Sequence, residues 1–490
     1  MCGIAGIITI KNSKIDSTVV ENVKRSLEHR GPDHSSHQFI KESVCLIHTR
    51  LSIIDLNDRS NQPFQSNDER YTIVFNGEIY NYKELRKELE TKGHKFITNG
   101  DTEVLLQGYI EYEEKILNKL RGQFAFVIYD KITNELFMAR DRIGIKPLYY
   151  SVNDNWILFG SEIKAIELSK LIEFEPDIDS YLAYLRHLCV PADSTGNKNI
   201  KKLEPGQFIR IDKNGKISKK IYWDPFTFSV NHDLNEKNVV EELDRLLNES
   251  VEYRKVSDVE VGLFLSGGLD SSLLGKLMKK NSDSSLKAFN VDFEENFEGY
   301  RGELKEARYA SSEIGINLNE EKINFDNFKE IFDNYAYYQD DLVGDEVGIP
   351  LYFLGKSSRT SGIKVVLVGE GSDELFYGYD HWNRLLKLSK YKKPYSSTNN
   401  KFSKLSNHRL SNMLTGSTTF AGGALGFNLA EINKLTARDI SVESGLIRFA
   451  DHLWDDYFNS NDAKLSKWMT LIDLKVRLPE LLLMRMDKLV

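Results

Sequence analysis

The chain has 490 residues, too many for one hydrophobic core, and at roughly 150 residues per domain it allows two to four domains, of which we expect two. Its 65 basic and 73 acidic residues give a net charge of −8 with no long basic block, which argues against a nucleic-acid-binding surface. Three widely spaced cysteines argue against a disulfide framework or a zinc site. The sequence shows neither a signal peptide nor an apolar run of about 18 residues, which predicts a soluble, cytoplasmic protein without a membrane partner.

The N-terminus carries the first chemical signal. The chain opens with Met1-Cys2-Gly3 and continues as an apolar strand. If the initiator Met is removed, Cys2 carries both a thiol and a free α-amine, and an amine with an ordinary pKa of about 7.7 to 8 can accept the thiol proton. This pattern is typical of an N-terminal nucleophile, although a cysteine also occurs at position two by chance.

Polar motifs then follow along the first half of the chain. They are HRGPD at 29–33, HTRLSIID at 48–55, NGEIYN at 76–81, GDTE at 100–103 and RDRIGIKPLYY at 140–150. Asn76-Gly77 after the alternating strand 71–75 indicates a turn, but a side-chain amide beside an exposed backbone N–H also suits an oxyanion hole. Asp101 precedes a periodic helix and fits an N-cap, and the 140–149 segment is interpreted as structural.

Cys2 and these five motifs, in this order, resemble the class II glutamine amidotransferase domains of glutamine-hydrolysing asparagine synthetases. The resemblance implies an α+β N-terminal-nucleophile glutaminase domain with αββα layers at residues 2–215. It also implies that Cys2 attacks the side-chain amide of glutamine, while Asn76 and the Gly77 N–H hold the oxyanion.

The same resemblance implies the residues that bind glutamine. Arg50 would pair with the α-carboxylate, and Glu78 and Asp101 would receive the α-ammonium. The pocket lining would be Leu51, Ser52, Ile53 and Ile54, together with Asn76 and Gly77. These roles fit the chemistry, because a zwitterion needs one cation and at least one anion held apart.

The polar stretch 216–238 is predicted to be a linker, and residues 239–490 form the second domain. This domain begins with a helix at 239–254 whose apolar stripe is interpreted as ordinary core packing; the stripe contains Val240, Leu243, Leu246, Leu247 and Val251. Strands at 286–291 and 364–368 alternate with helices at 303–314 and 326–337, which predicts an α/β fold with a parallel sheet and a ligand site at its carboxyl edge. The polar stretch 387–412 is expected to be a surface insertion.

Two polar loops lie at this expected edge. In LFLSGGLDSS at 263–272 a buried strand leads into Ser266-Gly267-Gly268 and then into a helix, which indicates a phosphate cradle, although a glycine-rich tight turn is the alternative. A carboxylate beside phosphates, Asp270, suggests Mg²⁺. In the second loop, GEGSDEL at 369–375, four polar or acidic side chains after a buried strand favour function over packing.

The first of these loops resembles the pyrophosphate loop of ATP pyrophosphatases, and both loops resemble the asparagine synthetase family. That likeness implies ATP-binding residues, two Mg²⁺ ligands and a role for Glu370 in forming an acyl-adenylate. The ATP-binding residues would be Leu265, Ser266, Gly267, Gly268, Asp270, Ser271, Val291, Val368 and Gly369, and the Mg²⁺ ligands Asp270 and Asp373. Ammonia released at Cys2 would need an enclosed passage to the adenylate.

The acceptor side departs from the family pattern. The segment VGDEVGIPLY at 343–352 has no arginine to meet a second carboxylate, and the chain ends after LPELLLMRMDKLV at 478–490, so we expect part of the C-terminal wall to be missing. Aspartate is the expected acceptor. The first alternative is a different acceptor carboxylate, such as that of a sugar uronate. The second alternative is that the protein is a non-catalytic relative that only binds glutamine and ATP. A homodimer is possible.

Overall fold

The computed structural model of the chain describes residues 1–11, 13–227, 235–280, 286–294, 302–389, 420, 422–437, 445–458 and 464–490. Two antiparallel six-stranded sheets come from the first half of the chain and one four-stranded sheet from the second. The stretch 387–412, predicted to be a surface insertion, lies outside the described residues except for its first three, which end a helix.

The described residues of the first half contain twelve strands and six α-helices. The strands are Gly3–Thr9 (β1), His34–Lys41 (β2), Val44–Arg50 (β3), Phe64–Gln65 (β4), Tyr71–Ile79 (β5), Gly122–Asp130 (β6), Glu135–Arg140 (β7), Tyr149–Val152 (β8), Trp156–Gly160 (β9), Lys201–Lys202 (β10), Gln207–Ile211 (β11) and Ile217–Ile221 (β12). The helices are Ser17–Ser26 (α1), Tyr82–Thr91 (α2), Asp101–Tyr112 (α3), Ile116–Lys119 (α4), Ile163–Glu167 (α5) and Ile178–His187 (α6).

The two antiparallel sheets pack face to face. Their strand orders are β10-β8-β9-β1-β3-β2 and β12-β11-β7-β6-β5-β4. Because side chains alternate along a strand, Ile4 and Ile8 of β1 point into the layer between the sheets, where they share one core with Val74 of β5 and Val127 of β6.

Helices cover the outer face of each sheet. Ala5 and Ile7 point the other way from β1 and pack under α1 and α5, while the outer face of the β5–β6 pair packs under α2 and α3. The layers are therefore helix, sheet, sheet, helix. This arrangement confirms the predicted αββα fold of the first domain.

The second half alternates helices and strands as far as residue 367, and the described elements that follow are helices. Its elements are Glu236–Arg254 (α7), Val261–Phe264 (β13), Leu269–Lys280 (α8), Lys287–Phe293 (β14), Leu304–Ile314 (α9), Asn317–Ile323 (β15), Phe325–Gln339 (α10), Gly348–Thr360 (α11), Val365–Leu367 (β16), Ser372–Phe376 (α12), Asp380–Ser389 (α13), Leu429–Thr436 (α14), Phe449–Phe458 (α15), Leu465–Lys475 (α16) and Met484–Leu489 (α17). One π-helical turn, Leu478–Leu483, precedes α17.

The parallel sheet has the order β15-β14-β13-β16. Leu263 packs on one face with Leu277 of α8 and Ala310 of α9, and Phe264 packs on the other face with Leu351 of α11. Both faces are covered, which confirms the predicted α/β fold. Since β13 lies between β14 and β16, the loops that leave these three strands meet at one edge.

Regular elements occupy both ends of the predicted linker 216–238. Its start contains β12, which pairs with β11, and its end lies inside α7. The helix stripe of α7 was predicted to be core, but Val240 and Leu246 are exposed and only Val251 of that stripe is buried. Helical periodicity shows which face of a helix is apolar but not how much of it a neighbouring element covers.

Two candidate active sites

Cys2 lies directly before β1, against the loop that leaves β3. The Leu51 N–H donates to Sγ over 3.4 Å, and Sγ lies 3.7 Å from the Leu51 carbonyl oxygen. Burial raises the pKa of the Cys2 thiol, while the N-terminal amine, the Leu51 N–H, Arg50 and Arg30 act in the opposite direction. The thiol is therefore protonated at neutral pH and needs a base before it can attack.

The nearest amine in this structure belongs to Met1. Burial, with Arg30 nearby, lowers the pKa of the Met1 amine from 8.0 to about 5, so this amine is neutral at pH 7 but is a weak base toward a thiol of raised pKa. Removal of Met1 would place the free amine on Cys2 itself. This processing step remains a prediction from the sequence.

Asn76 and Gly77 lie inside β5, opposite Ala125 and Phe124 of β6. The alternative prediction of a turn at this pair is wrong, because the strand continues to Ile79. The Asn76 side chain is only 1% exposed, and its Nδ2 makes no hydrogen bond within the described residues. A buried donor without a partner costs about 1–3 kcal/mol, so its presence beside Cys2 in the same pocket fits a donor reserved for an oxyanion.

Gly77 has no acceptable substitute at this position. Its φ is +147°, and a Cβ would lie 2.0 Å from the Gln123 carbonyl oxygen. The closeness of β5 and β6 thus fixes glycine at the residue whose N–H is the second expected oxyanion donor.

Arg50 ties down the loop that follows β3. Its Nη1 donates to the Asn57 carbonyl oxygen and to Asn61 Oδ1 (2.8 Å), and its Nη2 donates to the carbonyl oxygens of Ile54 and Asp55. The guanidinium lines the pocket while its outer N–H groups hold the pocket wall in place. A buried cation held in this way can receive a ligand carboxylate without first being ordered.

Glu78 and Asp101 are two buried carboxylates in the same pocket. The Ile79 N–H donates to Asp101 Oδ2 at 2.9 Å, and Gln123 Nε2 lies 3.4 Å from Glu78 Oε1. Burial and the neighbouring Asp101 raise the pKa of Glu78 to about 7, and burial raises the pKa of Asp101 to about 6. Asp101 is the first residue of α3 and Gly100 its N-cap, so the N-cap interpretation of Asp101 is wrong.

The structure brings nearly all of the predicted glutamine-binding residues into one pocket. Its wall includes Cys2, Arg50, Leu51, Ile53, Ile54, Asn76, Gly77, Glu78 and Asp101. Ser52 is not part of this wall, and its N–H instead donates to Asp33 Oδ2 at 2.8 Å. The wall also contains residues without a predicted role: Met1, Ser60, Gln62, Phe75, Gly100, Thr102, Gln123 and Lys146.

Lys146 shows why some of these were missed. The motif RDRIGIKPLYY was interpreted as structural, yet its lysine is buried at the pocket wall, where Nζ lies 2.6 Å from Met1 Sδ. The sequence signal was a lysine surrounded by apolar residues in a turn. Because lysine is rarely buried without a partner, this pattern indicates a buried lysine that pairs with a charged or polar group.

The second candidate site starts at the glycine loop between β13 and α8. Ser266 Oγ and Ser271 Oγ lie 2.9 Å apart, and the Gly268 N–H donates to Ser266 Oγ at 3.2 Å. Gly267 has a φ of +84°, and a Cβ there would lie 2.3 Å from the backbone of Glu306 at the start of α9. The loop is therefore a tight cradle at the N-terminus of a twelve-residue helix, a geometry suited to phosphate.

The loop after β16 touches this cradle. A Cβ on Gly369 would lie 3.2 Å from the Ser271 nitrogen, so this loop contacts the first turn of α8. Burial, with Asp270 and Glu374 nearby, raises the pKa of the Asp373 carboxyl. Two carboxylates close enough to repel each other beside a phosphate cradle fit a Mg²⁺ site, because Mg²⁺ usually takes one or two carboxylates together with phosphate oxygens.

The residues expected around the adenosine lie at the same sheet edge. Leu265 is buried, its N–H donates to the Phe289 carbonyl oxygen at 3.0 Å, and its own carbonyl oxygen accepts from Asn290 Nδ2 at 2.8 Å. Val291 lies in β14, and Val368 directly follows β16. Leu265 directly follows β13, so the three residues lie on or directly after three neighbouring strands.

Glu370 has an unpredicted partner, Arg485 of α17. Arg485 Nη2 donates to Glu370 Oε1 at 3.1 Å, and its Nη1 pairs with Asp345. Burial raises the pKa of Glu370, with Glu374 and Asp345 adding to the effect and Arg485 opposing it. The sequence-based prediction assigned no role to Arg485 or Asp487 in the motif LLLMRMDK. Charged residues in an apolar run indicate buried ion pairs, and this was the available signal.

Comparison with protein families covers both halves of the chain. Residues 1–223 match the model of a glutamine amidotransferase domain, and residues 242–490 match the asparagine synthase model. The chain belongs to the asparagine synthase family. This finding confirms the resemblance on which the sequence-based roles rest.

Individual relatives agree with that assignment. The chain is 37% identical over 396 residues to asparagine synthetase [glutamine-hydrolyzing] 1 of Bacillus subtilis (strain 168), covering 80% of this chain and 61% of that protein. It is 36% identical over 306 residues to asparagine synthetase [glutamine-hydrolyzing] 3 of the same organism, covering 60% and 49%. It is also 33% identical over 410 residues to amidase chry2 of Gibberella zeae, covering 78% and 60%.

The chain thus spans about half to three fifths of these relatives' lengths. None of the helices in the described ranges is both long and apolar enough to cross a membrane. Among the described residues, no group of three or more His, Cys, Asp or Glu side chains is arranged to hold a metal ion by itself.

Proposed function

We propose that this protein is an ATP-dependent amidotransferase that hydrolyses glutamine at Cys2 and transfers the ammonia to an adenylated carboxylate. Aspartate is the proposed acceptor, with asparagine, AMP and pyrophosphate as products. One observation carries the first half: the Cys2 thiol shares a pocket with an unpaired buried amide donor, a guanidinium and two carboxylates. That set complements both the amide and the zwitterionic end of glutamine.

The glutaminase chemistry follows from these groups. The neutral α-amine takes the thiol proton, and the Cys2 sulfur attacks the side-chain carbonyl carbon of glutamine. Asn76 Nδ2 and the Gly77 N–H stabilise the negative oxygen of the tetrahedral intermediate. The intermediate collapses as the amine returns its proton to the leaving nitrogen, which gives ammonia and a thioester, and water then hydrolyses the thioester to glutamate.

The second site would activate the acceptor. A carboxylate oxygen attacks the α-phosphorus of ATP, pyrophosphate leaves, and the acyl-adenylate forms; ammonia then attacks the acyl carbon and AMP leaves with the carboxylate oxygen. The glycine loop, the hydroxyls of Ser266 and Ser271 and the N-terminus of α8 would hold the pyrophosphate. Asp270 and Asp373 would hold Mg²⁺, which offsets negative charge on the phosphates when bound.

A different carboxylate is the second candidate acceptor. Arg485 already pairs with Asp345 and Glu370 within the protein. Its charge is therefore less available to a second carboxylate of an acceptor. The similarity to a protein named amidase supports testing acceptors other than aspartate.

We also propose that the reaction takes place in the cytoplasm, where ATP and glutamine are plentiful. The domain seam at 216–238 and a homodimer stay predictions.

The experiment compares wild type with Cys2→Ala, using glutamine or ammonium chloride as nitrogen source and a panel of carboxylates that includes aspartate and a sugar uronate. We expect acceptor-dependent pyrophosphate and AMP release with both nitrogen sources in wild type, and with ammonium alone in Cys2→Ala. Release of ADP would contradict the proposal. Glutamate release without pyrophosphate release for any acceptor would instead support the non-catalytic alternative.

A further inference from the structure

Helix α17 contacts both candidate sites through two buried side chains. Arg485 pairs with Glu370 and Asp345 of the synthetase site. Asp487 pairs with Arg30 at 2.6 Å and with Lys146 at 3.2 Å, two residues of the first domain. Since residues two apart on an α-helix point in directions about 200° apart, α17 lies between the two sites and reaches each from a different face.

The Asp487 contact continues to the nucleophile. Arg30 is buried, its Nη2 binds Asp487 Oδ2, its Nη1 binds Glu162 Oε1 at 3.0 Å, and its Nε donates to the Cys2 carbonyl oxygen at 2.9 Å. Asp487 and Glu162 therefore fix the plane of the guanidinium that holds the Cys2 backbone. The other partner of Asp487, Lys146, lies in the wall of the glutamine pocket.

We propose that Asp487 is a positioning residue for Cys2, and that α17 links the glutaminase centre to the Glu370 site. The first centre is then incomplete without a carboxylate from the far end of the chain. This inference rests on the proposed function only in naming the Cys2 pocket a glutaminase site and the Glu370 region a synthetase site. Helix α17 would then help to set the rate of glutamine hydrolysis.

The charges around Asp487 explain why the link should matter. Arg30, Lys146, Glu162 and Asp487 form one buried network, in which removing one carboxylate leaves two cations with less compensation. The Arg30 side chain would then relax, and the Cys2 carbonyl oxygen would lose a fixed donor. A small displacement of a nucleophile reduces the rate of the chemical step more than it reduces substrate binding.

Glu480 offers a matched control on the same stretch of chain. Its carboxylate is equally buried and pairs with Arg140 at 3.3 Å and Lys202 at 2.7 Å, also across to the first domain. Its partners Arg140 and Lys202 contact neither Cys2 nor Glu370 among the described residues; Arg140 Nε donates to the Lys146 carbonyl oxygen, but not to the Cys2 backbone as Arg30 does. A purely structural role of buried ion pairs would therefore affect Glu480→Gln and Asp487→Asn alike.

The test measures glutamate release without ATP, as kcat and KM for glutamine, in full-length wild type, Asp487→Asn and Glu480→Gln, with a melting curve for each. We expect Asp487→Asn to lower kcat by about tenfold to a hundredfold with little change in KM. Glu480→Gln should keep the wild-type kcat. An unchanged kcat in Asp487→Asn, or an equal loss in both variants, would overturn the proposal.

A second variant covers the case in which Asp487→Asn does not fold. Glu370→Gln removes a charged partner of Arg485 at the other end of the link, far from Cys2 in sequence. We expect its kcat for glutamate release, measured without ATP, to change at least about threefold. An unchanged kcat would show that α17 transmits nothing. Because the readout is glutaminase activity alone, a failure of the proposed synthesis reaction would be seen separately, as missing pyrophosphate release in wild type.

Discussion

Asp101 and Glu78 allow the sharpest test of the glutamine pocket, because stability and binding should respond to one substitution in opposite directions. Both carboxylates are buried, and no cation is hydrogen-bonded to either among the described residues. We expect Asp101→Asn to stabilise the free protein at pH 8 and to weaken glutamine binding. Asparagine is close to aspartate in size and keeps an oxygen that can accept from the Ile79 N–H.

The magnitude follows from the Glu78 pKa, which rises from 4.5 to about 7 in the folded protein. A carboxyl with a raised folded-state pKa binds its proton more tightly in the folded than in the unfolded state. The stability it contributes is thus full below pH 4.5 and is lost as pH rises through 7, and it amounts to about 3 kcal/mol. Asp101→Asn removes a second buried charge and the repulsion on Glu78, so the variant should lose much less stability over this range.

Binding should change the other way. A charge-assisted hydrogen bond contributes about 1.5–3 kcal/mol, so loss of one carboxylate partner for the α-ammonium should raise KM for glutamine about tenfold to a hundredfold. Protonation of Glu78 should weaken glutamine binding by wild type as pH falls below about 7, and Asp101→Asn should shift this limb to lower pH.

The assays are melting temperatures at pH 5 and pH 8 and KM for glutamine from glutamate release between these values. Wild type should melt at a lower temperature at pH 8 than at pH 5, and Asp101→Asn should show a smaller difference. A variant that melts lower than wild type at pH 8 and keeps the wild-type KM would refute the reasoning.

Three further substitutions probe single groups. Asn76→Ala should lower kcat for glutamate release about a hundredfold to a thousandfold with little change in KM, and a change in KM alone would argue against an oxyanion role. Gly267→Ala places a Cβ 2.3 Å from the Glu306 backbone at a φ of +84°. ATP-dependent pyrophosphate release should therefore be lost while glutamate release continues. Normal pyrophosphate release would refute the phosphate-binding role of this loop. Asp373→Asn should raise the Mg²⁺ concentration that half-saturates pyrophosphate release, and an unchanged titration would count against Asp373 as a ligand.

Local sequence patterns predicted the two loops of the proposed ATP site, where the backbone conformation positions the phosphate-binding groups. The glycine loop after β13 was predicted because a buried strand, two glycines and a helix start can be read within ten residues, and the loop after β16 because polar side chains follow a buried strand. Parallel strands then bring both loops to one edge by topology alone.

Contacts between distant parts of the chain could not be predicted in this way. Arg30 and Asp487 are 457 positions apart, and nothing local in either motif indicates that they pair. Asn76-Gly77 was ambiguous for a related reason: the pair is typical of a turn in isolation, and only the partner strand β6 shows that it continues a sheet. Likewise, the apolar stripe of α7 does not reveal that Val240 and Leu246 face solvent.

The central claim is that one chain releases nitrogen from glutamine at Cys2 and captures it on an acid activated by ATP. Its most direct test supplies glutamine labelled with heavy nitrogen in the side-chain amide, together with ATP, Mg²⁺, aspartate and an excess of unlabelled ammonium. We predict that the amide product carries the label and that AMP forms in equal amount. Product that carries only unlabelled nitrogen, or labelled product formed equally well by Cys2→Ala, would contradict the account.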